Sequence, residues 1–203
     1  MRITQITPSD ETGKREIYID GELFAAIPAD IVMSLDLHTG DEYDEAAAEK
    51  LLISLESLRA LQKAYTYLSY NALSYKKLEG KLVGAGFSPE ATELALERLM
   101  ELGLVDDREL ACRLKTVMLC SKRWGRRRAK EELYKRGIPS EVCSEVLADY
   151  DDEAALYWQI EHKYGKRNLA DPNERRRVTA GLVRLGFSFD DIRRALRENE
   201  EME

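Results

Sequence analysis

At 203 residues the chain is long enough to bury one large core or several small ones without covalent staples. A formal net charge of −7, 34% charged residues and no apolar run of spanning length exclude a helical membrane protein and suit a soluble globular chain. Three cysteines, Cys112, Cys120 and Cys143, are odd in number and form no C-x-x-C pair, which excludes a disulfide framework and a zinc knuckle. Reduced, mostly buried thiols are expected, and the amino terminus lacks an apolar h-region, so the expected compartment is the cytoplasm.

In chain order, "RITQITP" and "REIYIDGELFAAI" alternate β-branched or aromatic residues with polar ones, and Asp20-Gly21 is a strong hairpin signal. A small β-hairpin is therefore predicted to open the protein. After "PADIVMSLDLHTGDEYDE" the period becomes helical and stays so, beginning with Leu51, Leu52, Leu55, Leu58 and Leu61.

The helical part repeats itself. Gly86, Gly137 and Gly186 are spaced 51 and 49 residues apart. Four residues before each stands a leucine (Leu82, Leu133, Leu182), and one residue after it stands Phe87, Ile138 or Phe187. This spacing predicts a Schellman stop, in which glycine takes the left-handed position and the following apolar residue folds back onto the leucine. Ser88 with Pro89, Ser140, and Ser188 with Asp191 are candidate caps for a second helix carrying Ala95 and Leu96, Val146 and Leu147, or Ala195 and Leu196. A longer helix is expected before each pair, starting around Leu58, near Asp107 and near Asp151. The predicted fold is mainly α: three tandem three-helix, helix-turn-helix-like repeats at 57–105, 106–150 and 151–199, after a β-hairpin and short helices in 1–56.

Charge is uneven along these segments. Residues 1–60 hold five basic against 13 acidic side chains, whereas residues 112–150 hold ten against five. Within residues 120–137, eight Lys or Arg face two Glu, so an acidic total does not exclude a polyanionic or acidic partner at this place. Ala129 and Leu133 must point inward from a helix starting near Gly125, which throws Arg127, Arg128, Lys130 and Lys135 toward the sides and solvent. Guanidinium forks on Arg126, Arg127 and Arg128 match phosphate and carboxylate alike, and their removal is expected to leave folding nearly intact. A solvated face pairing with Glu131 and Glu132 is the plainer reading, and Trp124 either clamps the helix start or stacks on a base.

Catalytic motifs are missing from the sequence. His38 and His162 stand alone, "GAG" at residues 84–86 lacks the strand and third glycine of a nucleotide loop, and Asp106-Asp107 reads as a helix cap. A non-enzymatic chain without cofactor or metal is expected.

The segments "LSYKKLEGKLVGAGF", "LERLMELGLVDDRELA", "KRWGRRRAKEELYKRGI" and "DPNERRRVTAGLVRLGFSFDDIRRAL" resemble the RecX family, regulators of the bacterial recombinase RecA. The resemblance covers residues 60–198, and "IYIDGELFAAIPADIVMSLDLHTGDEYDE" is similar to an extension found on a subset of the family. It implies an elongated, curved array that lodges in the groove of the RecA filament on single-stranded DNA and mostly inhibits it, within DNA repair, recombination and SOS control. It further implies that DNA is met through or beside RecA and that no membrane is needed, while the repeat signals themselves imply a monomer. Where the family commonly carries a basic residue before the first glycine, "LVGAGF" is uncharged.

The candidate binding residues are then Lys122, Arg123, Trp124, Arg126, Arg127, Arg128, Lys130, Lys135 and Arg136. Arg175, Arg176 and Arg177, with Arg193, Arg194 and Arg197, are weaker candidates because acidic neighbours dilute them. Two other readings stay open at this point. A stand-alone helix-turn-helix repressor would normally bind duplex DNA as a symmetric dimer, and a helical scaffold would serve some other protein.

Overall fold

The computed structural model describes residues 1–201, with side chains to residue 198. It divides into two compact units, residues 1–71 with 78–102, and residues 72–77 with 103–201.

The first unit opens with β1 (Ile3–Pro8), β2 (Lys14–Ile19) and β3 (Glu22–Pro28) in an antiparallel sheet of order β1-β2-β3. Asp20 and Gly21 both take positive φ, 49° and 91°, as a two-residue hairpin turn requires. The expected hairpin is thus β2-β3, and "ITQITP" adds a third strand, with Ile6 opposite Ile17. The outer edge of β1 is covered by the loop before the long helix, where Ile3 N donates to Asp41 O at 2.9 Å and Gly40 N to Ile3 O at 2.8 Å. Ile3, Ile17, Ile27 and Leu55 pack together beneath the sheet with the short helix α1 (Ala29–Ser34).

The long helix α2 (Glu45–Tyr70) starts earlier than the periodicity implies, because the Asp44 side chain accepts from Ala47 N at 2.8 Å and caps it there. It runs without a break through residues 56 and 57, so the extension and the first repeat share one helix. Buried Ala60 and Ala64 line its side toward α4 (Pro89–Glu101), and Leu78 and Leu82 of α3 (Tyr75–Gly84) are also fully buried.

The second unit holds α5 (Asp107–Thr116), α6 (Arg126–Lys135), α7 (Ser140–Val146), α8 (Glu153–Gln159), α9 (Pro172–Arg184) and α10 (Phe189–Glu201). Helices α5 and α8 each run on into a π-helical turn, Val117–Ser121 and Ile160–Tyr164. Two apolar clusters form, one around Leu110, Met118, Leu133 and Tyr150, the other around Leu156, Ile160, Leu182 and Leu196. Leu119, on the first π turn, packs against both.

All three glycine stops form. Gly86, Gly137 and Gly186 have φ of +94°, +81° and +95°, and the next residue's N–H reaches back to the carbonyl of Leu82, Leu133 or Leu182 at 3.3, 3.1 and 3.3 Å. Ser88 caps α4 and Ser188 caps α10 by accepting from Asp191 N at 3.1 Å. Ser140 differs: Pro139 occupies the cap position and the Ser140 hydroxyl donates to Glu141 instead, at 2.7 Å. The thiols also differ from expectation, since Cys112 and Cys120 are exposed and Cys143 alone is buried. No described helix is long and apolar enough to cross a membrane.

Candidate partner-binding surface

Helix α6 carries the basic run, and its inward face is set by Ala129 and Leu133, both fully buried. Its cap residue, Gly125, has no side chain to satisfy the first backbone donors. Neighbouring elements satisfy them instead: Arg126 N donates to Asp152 Oδ2 at 2.6 Å, Arg127 N to Gly186 O at 3.2 Å, and Gly125 N to Leu185 O at 2.8 Å. The start of α6 therefore sits directly on the glycine stop that ends α9. A Cβ on Gly125 would come within 2.3 Å of the Gly186 carbonyl carbon, so glycine is needed here for close approach and not for its φ.

The three consecutive arginines use this junction. Arg126 donates through Nη2 to Tyr150 O at 2.6 Å, Arg127 through Nη2 to Val183 O, and Arg128 through Nη1 to Arg184 O at 3.4 Å. Arg127 thus adds a second donor to the Val183 carbonyl, which already accepts from Gly186 N at 3.0 Å, and Arg128 reaches the Arg184 carbonyl, both at the C-terminus of α9, the end where cations are favoured. They are not merely thrown to solvent, although Arg126 and Arg127 stay exposed and each fork keeps donors to spare. Arg128 also lies over the Trp124 ring, 4.2 Å from its centroid. Trp124 itself packs on the first apolar cluster, and its carbonyl accepts from the Tyr150 hydroxyl at 2.9 Å. Of its two readings, the clamp at the helix start is the one this packing matches.

The other members of the run divide by partner. Arg123 takes φ of +51° and lies 4.5 Å over the Trp158 ring, which stacks on His162 at 4.5 Å. Lys130 lies over Tyr134, and Arg136 pairs with Glu132 at 2.9 Å. Lys122 and Lys135 are exposed and enter no ion pair among the described residues.

Two further cations join this surface unannounced by the sequence. Ser74 donates to Arg136 O at 2.5 Å, bringing Lys76 and Lys77 against the Gly137 turn, where a glycine Cβ would meet Lys77 Cγ at 3.3 Å and Lys76 Cβ at 3.4 Å. Both lysines are exposed and free of ion pairs among the described residues. They lie about sixty residues before Gly137, and only the "YKK" spelling hinted at them. Asp107 helps to fix them by accepting from Tyr75 N at 2.8 Å, while Asp106 caps α5 as expected.

The weaker candidates are spread over α9 and α10. Arg177 pairs with Glu174 at 2.6 Å, Arg194 with Asp191 at 3.1 Å and Glu153 at 3.4 Å, and Arg197 bonds Arg193 O at 3.4 Å. Arg175 is half-buried, whereas Arg176 and Arg193 are exposed.

Burial raises the Asp152 carboxyl above the usual carboxylate range, against the opposing pull of its bond from Arg126 N. Burial likewise raises Asp107, opposed by the bond from Tyr75 N. Asp149 moves the other way, held down by its hydrogen bond from Lys115. No described group of His, Cys, Asp or Glu is arranged to hold a metal ion.

Residues 151–196 match the family model for the third three-helix domain of RecX, in register with α8, α9 and α10. The "Regulatory protein RecX" of Prosthecochloris aestuarii is 31% identical over 143 residues, covering 70% of this chain and 95% of that one. The chain belongs to the RecX family. The protein of the same name from Clostridioides difficile is 29% identical over 200 residues, 96% of this chain and 93% of its own length, so the likeness extends through the β-sheet region. A crystal structure of regulatory protein RecX superposes with a TM-score of 0.70 at 21% identity over 94% of this chain. That of RecX from Lactobacillus salivarius gives 0.61 at 22% over 70%. The mainly helical repeat fold is thus the RecX fold, in a family named for regulation.

Proposed function

We propose that this protein regulates RecA by binding its filament on single-stranded DNA and restraining it in the cytoplasm, in DNA repair, recombination and SOS control. The second repeat is the principal contact, joined at its Gly137 turn by Lys76 and Lys77 of the first. The observation that carries the reading is uncompensated cation density in an acidic chain of this family: Lys76, Lys77 and Lys135 flank the Gly137 turn without ion pairs of their own. An acidic groove on a protein filament, or the phosphates beside it, is the complementary partner. Arginine forks on the start of α6, held in place by the α9 carbonyls, are pre-set to add bidentate contacts.

RecA ATPase on single-stranded DNA, titrated with this protein at several salt concentrations, tests the reading. Inhibition is expected, with Lys76, Lys77 and Lys135 changed together to Ala requiring at least tenfold more protein for the same effect and keeping the wild-type melting curve. Arg126, Arg127 and Arg128 changed together to Ala should weaken inhibition and also lower stability, because α9 loses its caps. The salt slope separates targets: phosphate contacts on a single strand give a log-log slope of about −0.7 per neutralised charge, and carboxylate contacts a shallower one. A RecA ATPase rate that ignores the protein at every concentration and salt would sink the reading.

A further inference from the structure

The first unit carries a groove of about 1220 Å³ between β3 and α2, far from neutral in its lining. Its floor is apolar: Leu23 and Phe24 from β3 face Leu52 and Ile53 from α2. Consecutive strand residues normally point to opposite faces. Here the register shifts, Ile17 pairing with Ala25 and Tyr18 with Leu23, so Phe24 is an extra residue in a β-bulge and both side chains reach the groove. Leu23, beside this floor, is 55% exposed.

The rim is mostly acidic, with Met1, whose amino group donates to Tyr43 O, and Ser88 among its other members. Asp20, Glu22, Glu45, Glu49, Glu56 and Glu90 line the groove and no lysine or arginine does. Asp20 accepts from Arg2 N, and Glu56 is occupied by Ser88, from N at 2.9 Å and from the hydroxyl at 2.6 Å. Glu22, Glu45, Glu49 and Glu90 have neither hydrogen bond nor ion pair from their carboxylates among the described residues. On α2 the lining recurs at Glu45, Ala48, Glu49, Leu52, Ile53 and Glu56, one face of the helix, with acids before and after the apolar pair along the axis.

We propose that this groove docks a cationic amphipathic segment of a partner protein, two or three apolar side chains on the floor and Lys or Arg against the four unpaired glutamates. Charge selects among occupants. Like charge repels nucleic-acid phosphates and an anionic membrane surface. A second copy of this chain is a poor fit through its basic helix α6, because Ala129 and Leu133 are spent in its own core and Tyr134 is the one large apolar side chain that α6 exposes. The site is independent of the RecA reading, since it uses another unit and the opposite charge.

The test uses the full chain and a fluorescent 14-residue helical peptide of Leu and Lys as probe, followed by anisotropy. Saturable binding is expected, weakened at least tenfold by Glu22→Lys with Glu49→Lys and at least fivefold by Leu23→Ser. The charge-matched control Glu93→Lys with Glu97→Lys, on exposed α4 positions outside the groove, should shift affinity less than twofold. A probe whose leucines are replaced by serine should bind at least tenfold more weakly. Leu23→Ser alters an exposed side chain, so its result stands even where the double reversal disturbs folding. Equal loss in the control pair, equal binding of the serine probe, no saturable binding, or a dimer that Leu23→Ser dissolves would each overturn the proposal.

Discussion

Gly86 and Gly186 end helices in the same way, with φ of +94° and +95°, yet their surroundings have nothing in common. A Cβ at Gly86 would meet nothing within 4 Å, whereas one at Gly186 would come to 2.4 Å from Arg128 N and 2.5 Å from Arg128 Cβ. Gly137 lies between them, with Ser74 Oγ at 2.8 Å. One local motif thus serves two ends. In the first repeat it only stops a helix, and in the others it also forms a floor on which a different segment rests.

This contrast can be broken by one substitution repeated at each stop. Gly186→Ala should be the most damaging, because the left-handed cost of about 1–2 kcal/mol adds to overpacking against backbone, about 1–3 kcal/mol. Chemical denaturation should show a loss of roughly 2–5 kcal/mol as the start of α6 is displaced. Gly137→Ala should cost somewhat less, about 2–3 kcal/mol, because the nearest atom is a hydroxyl that can turn at the expense of its bond to Arg136 O. Gly86→Ala should cost only the conformational part, about 1–2 kcal/mol. Equal losses at all three positions would mean that the packing around Gly137 and Gly186 contributes nothing.

The pattern of glycines, leucines and following apolar residues made the three stops, the helices on either side of them and the Asp20-Gly21 hairpin legible, since these signals lie close together in the chain. Contacts across longer separations were not legible. Gly125 read as a helix start, but its need to be glycine comes from Gly186, 61 residues on. The arginine triplet read as free charge because its carbonyl partners are backbone atoms, which every residue possesses and no sequence displays. Lys76 and Lys77 stayed hidden for the same reason: Ser74 places them through the Arg136 carbonyl. The start of α2 was missed because Asp44, a cap by side-chain chemistry, stands before a run of alanines that carries little apolar period.

The smallest expected effect concerns Asp152, which belongs to the packed junction and has no counterpart at the open stop of Gly86. Its carboxylate caps Arg126 N, and burial raises its pKa above the ordinary 3.8. A carboxyl with a raised folded pKa binds its proton more readily in the folded chain than in the unfolded one. Its ionisation therefore removes stability as pH rises from the ordinary value through the folded one. Asp152→Asn keeps an oxygen for Arg126 N and cannot ionise, so it should gain on the wild type across that interval, by less than about 1 kcal/mol. Urea unfolding of both proteins at pH 4, 5, 6 and 7 measures the difference. Other carboxylates shape each curve, Asp149 among them, but they cancel when the two are subtracted. A constant difference would show that Asp152 titrates as it does in the unfolded chain, with no burial cost at the junction. Asp152→Ala should instead lose the cap at every pH, about 0.5–2 kcal/mol, and so separates the hydrogen bond from the charge.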